Sequence, residues 1–133
     1  MLSRKAKYAL KAVVYLSDCP RELPVTTKEI AESEGIPLKF LEAILTILTR
    51  NNILRSYRGI RGGYTLARSP EDITVLTIMR IIDGPVALTS CSSENYYQTC
   101  EECVDEANCK IKKMFKELRE SMLPILEMSI AKV

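Results

Sequence analysis

Five cysteines are the residues of this 133-residue sequence best suited to chemistry, and four of them lie close together along the chain. Cys91, Cys100, Cys103 and Cys109 fall in one acidic segment without clear periodicity, whereas Cys19 stands apart. Zinc and iron–sulfur centres prefer thiolate ligands, and an odd number of cysteines argues against a disulfide framework. The segment therefore predicts either soft-metal ligation or a metal-free thiol switch that pairs Cys100 with Cys103 or Cys109.

Histidine does not occur in the sequence, and this restricts the possible function classes. Its absence excludes His general bases, Ser–His triads and His-ligated metal sites. A catalytic role for the Cys100–Cys103 CxxC pair is also disfavoured, since such a motif needs a strand before it and a helix after it. No apolar run approaches the roughly 18 residues of a membrane span, and no cleavage site follows the first helix. We therefore expect a soluble cytoplasmic protein that is not an enzyme.

Basic and acidic residues are unevenly distributed between the two halves of the chain. Residues 1–68 contain 12 Lys/Arg and 6 Asp/Glu, whereas residues 69–133 contain 7 Lys/Arg and 11 Asp/Glu. No acidic residue occurs between Glu42 and Glu71, and every cation of that stretch is an arginine. A basic first half indicates a polyanionic partner, and arginines suit phosphates and base edges. The alternative is a basic surface that is merely solvated.

Apolar periodicity divides the chain into helices, one hairpin and one irregular segment. A capping box from Thr26 to Glu29 and a turn at Gly35 delimit the second helix, and Pro124 should bend or divide the last one. Helices are predicted for residues 3–18, 27–34, 37–51, 69–83 and 110–131, and strands for 53–57 and 64–67. We expect three parts: a DNA-binding domain at 1–85, a cysteine-rich sensor loop at 86–109 and a dimerisation helix at 110–133.

A short helix, a glycine turn, a longer helix and an Arg/Gly-rich hairpin together predict a mainly α winged helix-turn-helix fold. The third helix buries one apolar stripe, and its opposite face is slim and polar enough to enter a major groove. Glycines let a hairpin approach DNA closely, and arginines suit a narrow minor groove. The alternative is a plain hairpin with solvated arginines. Candidate DNA contacts are Arg4, Lys7, Lys28, Lys39, Glu42, Thr46, Arg50, Arg58 and Arg61.

Several short motifs resemble the Rrf-type family of bacterial winged-helix transcription regulators. The matching segments are KYAL at 7–10, EIA at 29–31, GIPLKFLE at 35–42, RSYRG at 55–59, GGYTLA at 62–67 and IIDGP at 81–85. The resemblance extends over essentially the whole chain. It implies a homodimer that binds a near-palindromic operator, with the long last helices packed together. It also implies base contacts from Lys39, Phe40, Glu42 and Arg58.

The same resemblance bears on the cysteines. In cluster-binding members of the family three cysteines precede the long helix, and Cys91, Cys103 and Cys109 are similar in placement. Lys112 stands where the iron–sulfur cluster regulators have a His ligand, and Tyr8 where the nitric-oxide sensors have an Asp. Cys100 is additional and would have to be the fourth ligand. The resemblance thus implies a [2Fe–2S] or [4Fe–4S] cluster held by four cysteines.

Three versions of this regulator remain open from the sequence. One is a repressor or activator whose iron–sulfur cluster senses redox state, iron or nitric oxide. A second carries a structural zinc, although only one CxxC knuckle is present. The third has no metal and is controlled by a thiol switch, a small ligand or a protein partner.

Overall fold

A computed structural model describes residues 2–133, and the first three helices in it begin and end close to the predicted positions. The five helices are α1 (Arg4–Ser17), α2 (Thr27–Glu34), α3 (Leu38–Arg50), α4 (Val75–Asp83) and α5 (Lys110–Leu126). One antiparallel sheet of two strands, β1 (Leu54–Tyr57) and β2 (Gly63–Leu66), follows α3. Short 3₁₀ turns occur at Pro70–Asp72, Ser90–Ser92 and Ile130–Lys132.

Side-chain caps explain where the first two helices begin. The Ser3 hydroxyl accepts from Ala6 N at 3.0 Å, and the Thr26 hydroxyl accepts from Glu29 N at 3.2 Å. Each cap satisfies a backbone N–H that lacks an intrahelical partner. The reciprocal half of the predicted capping box does not form, because the Glu29 carboxylate instead accepts from the Tyr15 hydroxyl.

The core lies where α1, α2 and α3 meet beneath the hairpin. Small residues on one side of α1, Ala9 and Ala12, are fully buried and let the other helices approach closely. Burying a large aliphatic side chain contributes about 1.5–3 kcal/mol. The fully buried large side chains of these elements, together with Ile53 just before β1, are Val13, Ile30, Leu41, Ile44, Leu45, Leu48 and Leu54.

An additional β-bridge connects the hairpin of β1 and β2, which we call the wing, to the segment before α2. Leu54 pairs with Leu66 and Tyr57 with Gly63, so each strand starts about one residue away from its predicted start. Val25, just before α2, forms an antiparallel bridge with Tyr64, with N–O distances of 3.0 and 2.8 Å. The wing is therefore anchored to the start of the helix-turn-helix unit.

Two predicted helices are shorter than expected. Residues 69–83 do not form one helix: a 3₁₀ turn ends at Asp72, and Thr74 caps a separate α4. The last helix ends at Leu126, soon after Pro124, rather than near residue 131. The chain then returns to the core, where Ile130 is 2% exposed and its N–H donates to Ile73 O at 2.8 Å.

Helix α5 presents an apolar face to solvent in the single chain. Ile111, Met114, Leu118 and Ile125 are 61, 55, 43 and 67% exposed. Their helical spacing places these residues on a single stripe, and most of that stripe is uncovered. No helix in the described residues, 2–133, is both long and apolar enough to span a membrane.

Candidate nucleic-acid interface and cysteine cleft

The polar face of α3 is the first part of the candidate interface. Helix α2 ends at Gly35, whose φ of 64° is left-handed and costs a glycine little. This turn leads into α3, whose stripe of Leu41, Ile44, Leu45 and Leu48 is buried. Every residue predicted to contact DNA from this helix is exposed: Lys39, Phe40, Glu42, Thr46 and Arg50. Phe40, at 65% exposure, is not a packing residue.

The polar side chains on this face differ in whether they already form hydrogen bonds or ion pairs within the chain. The Thr46 hydroxyl donates to Glu42 O at 2.9 Å, so it can only accept from an outside group. The two cations, Lys39 and Arg50, form no ion pair with an acidic residue in the described part of the chain, and the same holds for Glu42 with a cation. The helix thus offers two cations, one carboxylate and one aromatic ring to a partner.

The hairpin tip carries the two predicted arginines. Arg58 and Arg61 are both exposed, and Ile60 between them is fully exposed. A Cβ on Gly62 would lie 2.6 Å from Tyr57 O, and one on Gly63 would lie 2.4 Å from Val25 O. Both glycines are therefore required for the tight packing of the tip against the strand ends and against Val25.

Residues that are distant in the sequence line one cleft between the wing and the start of α2. Arg58 lines it beside Thr26 and Thr27, so a wing arginine shares one concave surface with a helix N-terminus. Helix N-termini favour anions. Thr27 and Tyr57 were not predicted as site residues, because the sequence does not show that the wing and the start of α2 lie side by side.

The remaining predicted cations are exposed but are spread over other elements. Arg4 and Lys7 lie on the outside of α1, and Lys28 lies on α2, 3.9 Å from Glu32. Lys11, also on α1, donates to Glu34 O and lies 3.4 Å from the Glu34 carboxylate. It therefore stabilises the end of α2.

The four clustered cysteines line one cleft of about 500 Å³ next to the start of α5. Cys100 is exposed, and Cys91, Cys103 and Cys109 are half-buried. The Cys109 sulfur caps α5 by accepting from Lys112 N at 3.4 Å. Cys19 lies far from them in sequence, at the end of α1, where burial, with Glu29 and Asp18, raises the pKa of its thiol.

Lys112 also lines the cysteine cleft, and its ammonium group is held by a small polar network. It donates to the Glu106 carboxylate, which also accepts from the Tyr97 hydroxyl, and it lies 5.2 Å from the centre of the Tyr97 ring. Hydrogen bonding to Glu106 raises the pKa of Lys112, and charge on Cys91 and Cys103 adds to this effect. A cation thus sits beside the thiols.

The donor set suits a soft metal centre, although the thiols are not assembled around one point. Four sulfur ligands match the requirement of an iron–sulfur cluster or a zinc ion. Among residues 2–133, no three Cys, Asp or Glu side chains converge at metal-binding separation. The segment between Cys91 and Cys109 would have to contract for all four sulfurs to bind one group.

A family model described as an iron-dependent transcriptional regulator, Rrf2, matches residues 2–133. This chain belongs to the Rrf2 family. It is 42% identical over 130 residues to an Rrf2-like HTH-type regulator of Rhodobacter capsulatus, covering 96% of this chain and 87% of that protein. It is 32% identical over 103 residues to the regulator IscR of Pectobacterium carotovorum, covering 77% of this chain and 63% of IscR.

Two solved structures share the fold of this chain. The IscR structure of T. potens has a TM-score of 0.75 and 27% identity, and covers 98% of this chain and 83% of its own. CymR, a cysteine regulator of B. subtilis, has a TM-score of 0.80 and 23% identity, with coverage of 98% and 93%. The predicted family and winged-helix fold are confirmed, and the protein is a transcriptional regulator and not an enzyme.

Proposed function

We propose that this Rrf2-family regulator acts in the cytoplasm as a homodimer that binds a near-palindromic DNA operator. The observation that carries the proposal is the division of α3 into a fully buried stripe and a polar face on which all five predicted contact residues are exposed. A helix that is polar on its outer side fits the major groove. The hairpin arginines then lie against the neighbouring backbone or minor groove.

In this proposal each group of residues contacts a different part of the DNA. Lys39 and Arg50 contact phosphates or guanine edges, and Glu42 accepts from a cytosine amino group. Phe40 packs against a thymine methyl group. Arg58 and Arg61 enter the minor groove, while the cations of α1 and α2 (Arg4, Lys7 and Lys28) contact flanking phosphates.

The exposed apolar face of α5 supports the homodimer. A helix that exposes Ile111, Met114, Leu118 and Ile125 on one side needs a partner, and an equivalent helix from a second copy supplies a self-complementary face. The division into a DNA-binding part (1–85), a sensor loop (86–109) and a dimerisation helix (110–133) belongs to the same proposal.

We further propose that Cys91, Cys100, Cys103 and Cys109 hold an iron–sulfur cluster that senses redox state, iron or nitric oxide. A bound cluster supplies reversible electron or ligand chemistry, and the protein supplies the thiolates and the Lys112 cation beside them. Since Cys109 caps α5, ordering the loop changes the start of the dimer helix. A tenfold change in operator affinity requires about 1.4 kcal/mol of coupling. A structural zinc, a thiol switch, or control by a small ligand or a protein partner are the alternatives.

Selection from random duplexes followed by fluorescence anisotropy tests the DNA-binding proposal. Affinity for the selected operator should fall with salt, with a log–log slope of about −0.9 per phosphate contacted. Arg58→Ala should weaken binding and make that slope shallower. The matched control is Arg68→Ala, an exposed arginine whose guanidinium donates to Asp72 O on the following turn. No selected sequence, or equal effects of the two variants, would refute the assignment.

Anaerobic purification with an absorption spectrum and iron, sulfide and zinc analysis tests the cluster proposal. Visible absorption with iron and sulfide in comparable amounts supports it, and Cys103→Ala should then lose the absorption and change operator affinity. Cys19→Ala is the matched control and should retain both properties. A colourless zinc protein, or a metal-free protein after attempted reconstitution, would overturn the cluster in favour of the alternatives.

A further inference from the structure

Ile60 lies at the tip of the wing, where its side chain is fully exposed to solvent. Gly62 N donates to Gly59 O at 2.9 Å, so residues 59–62 form a β-turn with Ile60 and Arg61 as its two central residues. Such positions normally hold Gly, Pro, Asn, Asp or Ser, whose conformations and side chains suit a turn. The isoleucine buries no surface in the fold, and the turn does not require it.

The backbone of the wing fixes the position of this side chain. A Cβ on Gly62 would lie 2.6 Å from Tyr57 O, so the turn closes directly onto the end of β1. At the base of the hairpin, Tyr64 N donates to Val25 O at 2.8 Å. Both contacts hold the tip in place before any partner binds. An apolar group that is already positioned loses little conformational freedom on binding.

The charges around Ile60 indicate the kind of surface that could cover it. Arg58 and Arg61, both exposed, flank it on the turn, and no acidic residue occurs between Glu42 and Glu71. A protein partner would bury one apolar side chain between two cations, which is far less than a stable protein interface needs. A DNA minor groove instead offers phosphates along both edges and the apolar faces of stacked bases between them.

We propose that Ile60 is a wedge that enters the minor groove and partly unstacks one base step in each half-site of the operator. The inference rests on the proposed DNA-binding function and adds a source of specificity to it. Arg58 and Arg61 enter the same groove beside the wedge. Inserted apolar side chains, Ile among them, kink the duplex. Because pyrimidine–purine steps kink most readily, the wing selects such a step by its deformability rather than by hydrogen bonds to base edges.

Fluorescence of 2-aminopurine tests whether a base step opens under the wing. The probe is a duplex of the selected operator in which 2-aminopurine replaces the adenine of the pyrimidine–purine step that footprinting places at the wing. Emission should rise several-fold when the wild-type protein binds, because the base loses a stacking neighbour. Energy transfer between dyes at the two duplex ends should report the accompanying bend.

Substitutions at Ile60 separate the wedge from the arginines beside it. Ile60→Ser should leave the emission at the level of the free duplex and weaken binding about tenfold. Ile60→Leu keeps an apolar wedge and should retain both properties. Leu23→Ser removes an exposed leucine outside the hairpin and is the matched control, which should also retain both.

A second operator tests the selection of the step. When the pyrimidine–purine step is replaced by a stiff AA step, wild-type affinity should fall about tenfold, whereas Ile60→Ser should bind the two operators about equally. A general weakening of the wing would reduce binding to both operators alike and would not produce this pattern.

The wedge is overturned if the emission does not rise with the wild-type protein, or if Ile60→Ser binds the selected operator as tightly as wild type. A selected operator without a pyrimidine–purine step at the wing also overturns it. In these cases an operator still exists, and a loss of affinity in Arg58→Ala would show that the wing binds through its arginines alone. Failure to select any operator would instead refute the proposed function, and the wedge with it.

Discussion

Replacing Gly63 by alanine should destabilise the protein much more than the same change at Gly59, although both glycines lie in the wing. Gly59 has a φ of 97° and Gly63 a φ of 144°, and both values lie in a region that L side chains rarely adopt. A residue forced into such a region costs of order 1–3 kcal/mol. The two positions share this backbone cost.

Only Gly63 adds a collision with backbone. A Cβ at Gly59 meets nothing within 4 Å, whereas one at Gly63 lies 2.4 Å from Val25 O and 2.6 Å from Val25 C. Val25 would have to move, and it holds two hydrogen bonds to Tyr64, of 3.0 and 2.8 Å. Each bond contributes about 1 kcal/mol. We therefore expect a loss of about 1 kcal/mol for Gly59→Ala and about 3 kcal/mol for Gly63→Ala.

Urea unfolding followed by circular dichroism measures both losses as differences in the free energy of unfolding. The variants must be compared at one protein concentration, since dimerisation would make stability concentration-dependent. Equal losses for the two variants, or a smaller loss for Gly63→Ala, would refute the reasoning. In either case the Val25–Tyr64 bridge would not be what makes a glycine necessary at position 63.

Three further perturbations test other parts of the structure. Ile44→Ala, at a fully buried site of α3, should lower the free energy of unfolding by about 3 kcal/mol in the same urea experiment. The control Ala43→Ser, on the exposed face of that helix, should change it by less than about 1 kcal/mol. Iodoacetamide at mildly alkaline pH should alkylate the exposed Cys100 well before Cys19, because burial raises the pKa of the Cys19 thiol. Peptide mass spectrometry measures the order of labelling, and the reverse order would contradict the placement of Cys19. Because Arg119 lowers the Glu94 pKa below its ordinary value of 4.5, the stability advantage of wild type over Glu94→Gln should be present near neutral pH and lost as pH falls through the folded pKa. An advantage that grows in acid, measured by thermal melting across pH, would exclude that ion pair.

Structural features that depend on residues close together in the sequence were predictable. Thr26 and Gly35 delimit α2 at the expected residues, because capping and left-handed turns depend on groups within one helical turn. The apolar stripe of α3 likewise predicted which side of the helix is exposed, and Lys39 and Arg50 lie on that side. Amphipathic periodicity is sufficient for this, since a helix has only one way to bury such a stripe.

Features that depend on distant partners were not predictable in the same way. The end of α5 follows from Ile130, which pairs with Ile73 in the core, and nothing near residue 130 indicates that contact. The cysteine cleft was anticipated as a group of thiols because they are close in sequence. The position of Lys112 against Glu106 and Tyr97 depends on the path of an irregular loop, which periodicity does not describe.

Arg119 illustrates the limit of pattern-based inference most clearly. On a helical wheel it is one of several charges of α5, and a charged residue on an amphipathic helix is normally solvated. In the fold it is nearly as buried as the core, because the segment after α4 covers it and brings Glu94 to its side. The Glu94 carboxylate, 3.0 Å from Nη1, supplies the opposite charge that a buried guanidinium requires. Periodicity cannot show this pairing, because Glu94 lies in the irregular segment before α5 and is far from Arg119 in the sequence.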